Sequence, residues 1–271
     1  MRGTSLASLH AAQDRLEPVL AAAGEQAHTI GDQLFAVVDA LDASGALRRS
    51  LADPSRPAQD KADLARSLLV KAFDPRTVEI VEGLARARWS SERDLADAVD
   101  TLGITAYLAS AQARGVLEAV ESELFRITRE LVGQREVRQA LSDSSTDPAR
   151  RIKLVDDILV GKADPVTIAI CRRATGIPRG ERFVPALVRV GGIAAARRNR
   201  IVASVTSGTE LSQAQLDRLA ALLESAYGSA VQIDLTVNPE VVGGLRIQIG
   251  SDVVDSTVLT RLADARRRLA G

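Results

Sequence analysis

Through the first two hundred residues the apolar positions recur at the three- and four-residue spacing of a helix face. Leu124, Ile127, Thr128 and Leu131 mark one such face, Val137 and Leu141 a short segment, and Ile152, Val155, Ile158 and Leu159 the next helix. Asp147-Pro148 and Asp164-Pro165 each set a capping carboxylate before a proline, whose fixed φ suits a first helical turn and whose missing N–H is not needed there. Pro178 ends the helix opened at Pro165, and a last helix over about 180–200 carries Phe183, Leu187, Val190 and Ile193. From Ile201 the period drops to two. IVASVTSG alternates as a strand, and Ser212 with Gln215 is spaced as a capping box for a helix that turns Leu216, Leu219, Leu222 and Leu223 inward. Val231, Ile233, Leu235 and Val237, then Leu245, Ile247 and Ile249, alternate as two strands expected to pair with each other. A short Val253-Val254 strand follows, and then a final helix with Val258, Leu262, Ala265 and Leu269 inward and Arg266, Arg267 and Arg268 in its last turn.

The helical part contains a duplication. At a fixed offset of 90 residues, 34–80 and 124–170 share 14 identities in 47 ungapped positions, among them Leu34, Phe35, Arg48, Asp53, Ser55, Asp74, Pro75 and Thr77. The first copy follows the plan of the second through Pro54, Pro57 and Pro75. Its last helix, from about Ser91, meets no strong breaker before Gly115 and is expected to run straight into the first helix of the second copy, coupling the two bundles rigidly. The fold class is therefore mainly α: a duplicated helical bundle followed by a small α/β (βαββα) domain, divided at 1–110, 111–200 and 201–271.

Composition agrees with helix-on-helix packing. Of the 271 residues 46% are hydrophobic but only 3% aromatic, and Lys plus Arg balance Asp plus Glu at a net charge of zero, so no general field attracts nucleic acid or anionic lipid. The single cysteine, Cys171, among Ile168, Ile170 and Ala174, reads as a buried structural thiol in a reducing compartment. The start of the chain lacks the apolar core of a signal peptide, and no run approaches the roughly 20 apolar residues of a membrane span.

Chemistry is hard to place on this chain. Gly161-Lys162 is followed by Ala163, and Asp156 stands where a P-loop needs its first glycine. His10 and His28 are 18 residues apart and far from Cys171, which excludes a zinc set, and no serine or cysteine has a neighbouring histidine. Catalytic, cofactor-binding and metal residues are accordingly expected to be none. Gly191-Gly192 reads as a close helix-packing point, and Trp89 and Tyr107 as core or helix-interface residues. The run Arg197, Arg198, Asn199, Arg200 is the one hint of nucleic-acid binding, outweighed by its fit to a helix C-terminus. The residues alone give a helical repeat protein whose ligands are partner helices laid into grooves.

A resemblance makes this concrete. Pro239, Gly243, Gly244, Gly250, Asp252, Val253, Val254, Asp255, Val258, Arg261 and Leu262 follow an order that resembles the C-terminal signature of the F-type ATP synthase delta subunit family, that of the mitochondrial oligomycin-sensitivity-conferring protein. Asn238 stands for the family's usual aspartate and Ser256 for its glycine. Pro239, Gly243, Gly244, Gly250, Asp252 and Asp255 are the signature positions expected to be structurally required. The resemblance assigns the second copy to the family's N-terminal domain and leaves the first as an extra module, as in a long actinobacterial-type form. It implies a non-catalytic stator subunit on the cytoplasmic face of the plasma membrane. Its helical domain would grip N-terminal segments of the alpha subunits and its C-terminal domain the end of the b subunit, without nucleic acid or a small-molecule ligand. A helical adaptor outside the synthase, or a nucleic-acid-binding protein, are the alternatives.

Overall fold

A computed structural model describes residues 1, 3–198, 201–227, 231–239, 241, 243–249 and 252–255. The chain divides into two compact units, Met1–Ala195 and Ala196–Gly271. The first is all helix: α1 (Thr4–Ala23), α2 (Ala27–Ala43), α3 (Gly45–Ala52), α4 (Ala58–Leu69), α5 (Pro75–Arg86), α6 (Glu92–Ala113), α7 (Leu117–Glu130), α8 (Arg135–Ser142), α9 (Pro148–Leu159), α10 (Pro165–Gly176) and α11 (Phe183–Arg198), whose last turn enters the second unit.

The repeat is reproduced helix for helix. The bounds of α3, α4 and α5 become those of α8, α9 and α10 when 90 is added, and α2 and α7 start 90 residues apart. Local bonding explains the match. Asp74 and Asp164 each cap the helix after them, accepting from the N–H of Arg76 and of Val166 at 2.8 Å. Their own N–H groups donate to Gln33 of α2 and Glu123 of α7, three helices back, at 3.0 Å. Asp53 and Asp143 hold the turns between short helices by accepting from the backbone and hydroxyl of Ser55 and of Ser145. One pair is inverted. Arg66 on α4 binds Glu82 on α5 at 2.7 Å, whereas at the equivalent places Asp156 on α9 binds Arg172 on α10 at 2.6 Å.

The expected continuous helix does not form. α6 stops at Ala113, and Gly115 takes φ +72, the left-handed conformation that a side chain resists. The Gly115 N–H then donates to Gln112 O and the Val116 N–H to Ala111 O, both at 2.9 Å, closing the end of α6 in a Schellman turn before α7 leaves in a new direction. A glycine inside a helical pattern costs only about 1 kcal/mol, so it reads as tolerable until its place just past a helix end is known.

The coupling between the copies comes from α6 itself. Preceding α7 as α1 precedes α2, it is the last helix of one copy and the first of the next. Leu95, Ala98, Val99, Leu102, Ala106 and Ala109 of α6 lie in the core of the first copy, with Leu16, Leu34, Val38 and Leu84. Ile104, Leu108 and Ala111 lie in the core of the second, with Leu124, Val155, Cys171, Phe183 and Leu187. Fourteen of its 22 residues are buried, more than the single stripe of an amphipathic helix can supply. Trp89 is core, its indole N–H donating to Leu84 O at 2.9 Å. Gly191 and Gly192 meet no neighbour where a Cβ would stand, so they are not the packing point expected of them.

In the second unit β1 (Ile201–Ser207), α12 (Gln213–Tyr227), β2 (Val231–Val237), β3 (Leu245–Ile249) and β4 (Asp252–Asp255) build a sheet of order β2-β1-β3-β4. The strands at 231 and 245 therefore do not pair with each other. β1 lies between them, parallel to β2 with Val205 opposite Leu235, and antiparallel to β3 with Val205 opposite Ile247. The βαβ crossover through α12 sets β2 on one edge of β1 and leaves the other for β3. Ala203, Val205, Val231, Ile247 and Leu223 form the core of this unit, while Leu222, expected inside, is 61% exposed. At the start of α12 Gln215 Oε1 accepts from the Ser212 N–H at 2.8 Å, one arm of the expected capping box. The final helix lies outside the described residues.

Cys171 is wholly buried in the second-copy core, and burial pushes its thiol up to about 12, with Glu123 adding to the rise. Only the thiolate reacts. The native protein is expected to resist iodoacetamide at pH 8 and to be alkylated fully in denaturant, as read by intact mass; rapid native labelling would contradict this burial.

Candidate functional site

The two copies meet over Phe35. It belongs to α2, yet its side chain packs with the second-copy core, between α6 and α10. Gly103 makes room for it: a Cβ there would stand 2.7 Å from a Phe35 ring carbon, so the ring lies directly on the α6 backbone. Ile104 and Ile170 flank it, and the Tyr107 ring is tilted 31° to it at 5.5 Å. The Arg173 guanidinium carbon sits 4.2 Å from the ring centroid, a cation–π contact worth about 1–2 kcal/mol where water is excluded. Tyr107 donates its hydroxyl to Asp32, and burial and that carboxylate raise its pKa.

Around this aromatic contact lies a shell of charge. Arg173 reaches Asp39 of α2 at 2.9 Å and Asp100 of α6 at 3.7 Å. Arg179, just past α10, reaches Asp42 of α2 at 2.6 Å and Asp97 of α6 at 3.0 Å, and Arg189 of α11 reaches Asp100 at 3.4 Å. Burial works against the Arg179 charge, but its hydrogen bond to Asp42 and the charges of Asp100, Asp42 and Asp97 outweigh that and raise its pKa. Arg179 also has φ +48, held where its side chain can serve both helices, and its carbonyl accepts from Arg93 at 3.2 Å. A cavity of about 310 Å³ remains, lined in part by Phe35, Thr101, Ile104, Ile170 and Arg173. Its Arg173, Arg179 and Arg189 are ion-paired with Asp97 or Asp100, and its Arg93 and Thr101 donate to backbone carbonyls. The junction is built to fix α2, α6, α10 and α11 in place.

Of these residues only Tyr107 was singled out in the sequence, as a core or helix-interface residue, and it lies at this interface. Phe35 and Phe125 are a repeat identity, but only the fold shows that Phe35 turns away from its own copy's core. Among the described residues, no group of three or more His, Cys, Asp or Glu is placed to hold a metal ion. Arg197 is 8% exposed, which takes it away from any phosphate-binding surface.

The signature positions lie in the second unit. Pro239 is exposed at the turn after β2, where the Asn238 N–H donates to Ser207 O at 2.8 Å and the Val241 N–H to Asn238 O at 3.0 Å. Gly243 and Gly244 have φ +59 and +110, conformations that favour glycine. Asp252 stands opposite Ile249 and Asp255 opposite Arg246 in the β3–β4 ladder. Gly250 lies outside the described residues. A further glycine went unnoticed in the sequence: a Cβ on Gly208 would stand 2.2 Å from Val241 O, so only glycine lets Val241 close over the end of β1.

Substitution should separate the junction's parts. Gly103→Leu, which forces Phe35 off α6, is expected to cost about 3 kcal/mol in urea unfolding. Arg173→Gln, which takes the cation off the Phe35 ring and from Asp39 while Asp100 keeps Arg189 and Arg179, is expected to cost about 2 kcal/mol. Asp39→Asn, at the exposed end, should cost under about 1 kcal/mol; equal losses for Arg173→Gln and Asp39→Asn would contradict this ranking.

The pattern of the ATP synthase delta (OSCP) subunit family matches residues 105–269, starting inside α6. The ATP synthase subunit delta of Beutenbergia cavernae is 54% identical over 272 residues, covering 100% of both chains. Those of Kineococcus radiotolerans and Streptomyces avermitilis are 44% and 39% identical, each covering 99% of this chain and 98% of their own. A chain in the cryo-EM structure of the Toxoplasma gondii mitochondrial ATP synthase hexamer is similar over 62% of this chain and 95% of its own, at 17% identity and a TM-score of 0.30. With full-length relatives this similar and a family pattern spanning both units, the chain belongs to the ATP synthase delta (OSCP) subunit family.

Proposed function

We propose that this chain ties the catalytic head of an ATP synthase to its membrane-anchored stalk. The helical unit holds N-terminal segments of the alpha subunits, residues 201–271 hold the C-terminal end of the b subunit, and the chain resists rotor torque at the cytoplasmic face of the plasma membrane. The observation that carries this reading is the full-length, 54% identical match to a delta subunit. As a family member the chain is a non-catalytic subunit of the peripheral stalk. No helix among the described residues is long and apolar enough to cross a membrane, so attachment is peripheral, through other subunits.

The geometry supports a part that carries load. A force entering either helical copy passes through α6, which belongs to both cores, and through the Arg173 and Arg179 ion pairs that brace α2 against α10. In use, the chain has three parts, 1–110, 111–200 and 201–271. Of the signature residues, Pro239, Gly243 and Gly244 shape the turn after β2, and Asp252 and Asp255 bound the edge strand β4 that is offered to the b subunit.

Calorimetric titration of the full chain tests both contacts, using one peptide from the N-terminal end of the same organism's alpha chain and, separately, another from the C-terminal end of its b chain. Saturable binding of each, at micromolar Kd or tighter, is expected, with the two sites independent. Absence of both would leave this chain a helical adaptor with no hold on the synthase.

A further inference from the structure

We infer that the cleft between α8 and the start of α11 is a binding site for a multiply charged phosphate anion, a condensed phosphate rather than a nucleotide. The cleft, of about 920 Å³, is lined by Arg135, Arg138, Ser142, Asp143, Ser145 and Arg182. A chain with no net charge thus places three guanidinium groups against one carboxylate. That carboxylate is already engaged. Asp143 accepts from the hydroxyl and the backbone N–H of Ser145 and from the hydroxyl of Thr146, and these bonds, with the charge of Arg151, hold its carboxyl below the usual range. Arg151 itself is 4% exposed, and its Nε and Nη1 have no hydrogen-bond partner, so positive charge here exceeds what the protein's own acceptors take up.

The repeat shows what the cleft lacks. In the first copy Arg48 donates to Leu41 O at 2.9 Å and reaches Glu92 at 3.5 Å. Its counterpart Arg138 makes the same backbone bond, to Leu131 O at 2.8 Å, and a second to Val132 O, but among the described residues no carboxylate pairs with it. Glu181, the counterpart of Glu92 after a one-residue slip, is turned to Arg189 at 3.1 Å. The second copy also adds charge, since Arg135 stands where the first has Gly45. Arg93 donates to Arg179 O, whereas the guanidinium of its counterpart Arg182 has no such bond among the described residues and, like that of Arg135, is exposed. An anion from outside completes in the second copy what Glu92 completes in the first.

The lining selects the anion. Guanidinium groups bind phosphate oxygens through paired N–H donors, and three of them suit a ligand with more than one negative charge. Val184 and Pro185 bring the first turn of α11, the positive end of its dipole, to the same cleft. The Ser142 hydroxyl accepts from the Phe183 N–H at 3.3 Å, which leaves its own O–H to donate to a phosphate oxygen. Among the described residues no aromatic ring lines the cleft, so the base of a nucleotide or of a nucleic-acid strand finds nothing to stack on.

The inference does not depend on the partners proposed above, and the full-length protein tests it. Calorimetric titration with pyrophosphate at low ionic strength is expected to show saturable binding at a Kd of about 1 mM or tighter. The double variant Arg135→Gln, Arg182→Gln should bind at least about tenfold more weakly, and Arg150→Gln, at an exposed arginine outside the cleft, should bind as the parent does. Both substituted arginines are exposed, so the double variant should keep the parent's melting midpoint. ADP should bind no more tightly than pyrophosphate. Sedimentation with phosphatidylglycerol vesicles distinguishes the sources of the phosphate: vesicle binding that the double variant loses assigns it to a lipid headgroup, and absence of vesicle binding assigns it to a free anion. The inference is overturned by no saturable binding of pyrophosphate, by binding that the double variant does not weaken or that Arg150→Gln weakens equally, or by tighter binding of ADP, which would show a contact to the base.

Discussion

A helix buried on opposite sides has little freedom to tilt or slide, and α6 is held in this way. One side completes the core that Leu16, Leu34 and Leu84 begin; another completes the core of Leu124, Cys171 and Leu187. Close packing makes each contact sensitive to a change of one methylene, so a shift of α6 that suits one bundle opens a void in the other. The direction of α7, the seating of Phe35 on Gly103 and the reach of Arg179 to Asp42 and Asp97 all follow from where α6 lies.

A shared helix also explains why an added copy need not introduce a hinge. Two bundles joined by a loop meet through surfaces that stay partly polar, and relative motion is then the default. Here the two copies have one backbone element in common, and the remaining contact is aromatic at its centre and ionic at its rim, with Arg173 serving both as the cap of Phe35 and as the partner of Asp39. For a member of a family that works in the stalk of a rotary machine, stiffness of this kind is useful in a way that no bound cofactor would be.

Much of the fold was legible because it is written locally. Asp147 and Asp164 sit before prolines and do cap α9 and α10; the 90-residue repeat recurs in helix bounds; the alternation from Ile201 becomes strands. What was not legible depends on neighbours that sequence does not order. Alternation says which face of a strand is buried but not which strand lies beside it, so β1 between β2 and β3 was missed. Gly115 looks like any glycine in a helical pattern until its φ is known. The junction joins Asp39 to Arg173 across 134 residues, and each of those charges, taken alone, reads as part of a solvated helix face. The family signature was visible as a string of turn residues, but Gly208, whose absent Cβ lets that turn close, carried no signal of its own.

The inverted pair at the α4–α5 and α9–α10 hairpins has a consequence for how the chain reaches its native state. Two similar repeats on one chain can exchange partners while folding, and such a mistake is costly because local contacts hardly distinguish the right partner from the wrong one. With Arg66 facing Glu82 and Asp156 facing Arg172, exchange would set Arg66 against Arg172 and Asp156 against Glu82. Each correct hairpin closes an attraction and each crossed one closes a repulsion. A charge reversal that leaves the native energy almost unchanged thus gives each copy an address, by which a helix can distinguish its own hairpin partner from its counterpart ninety residues away.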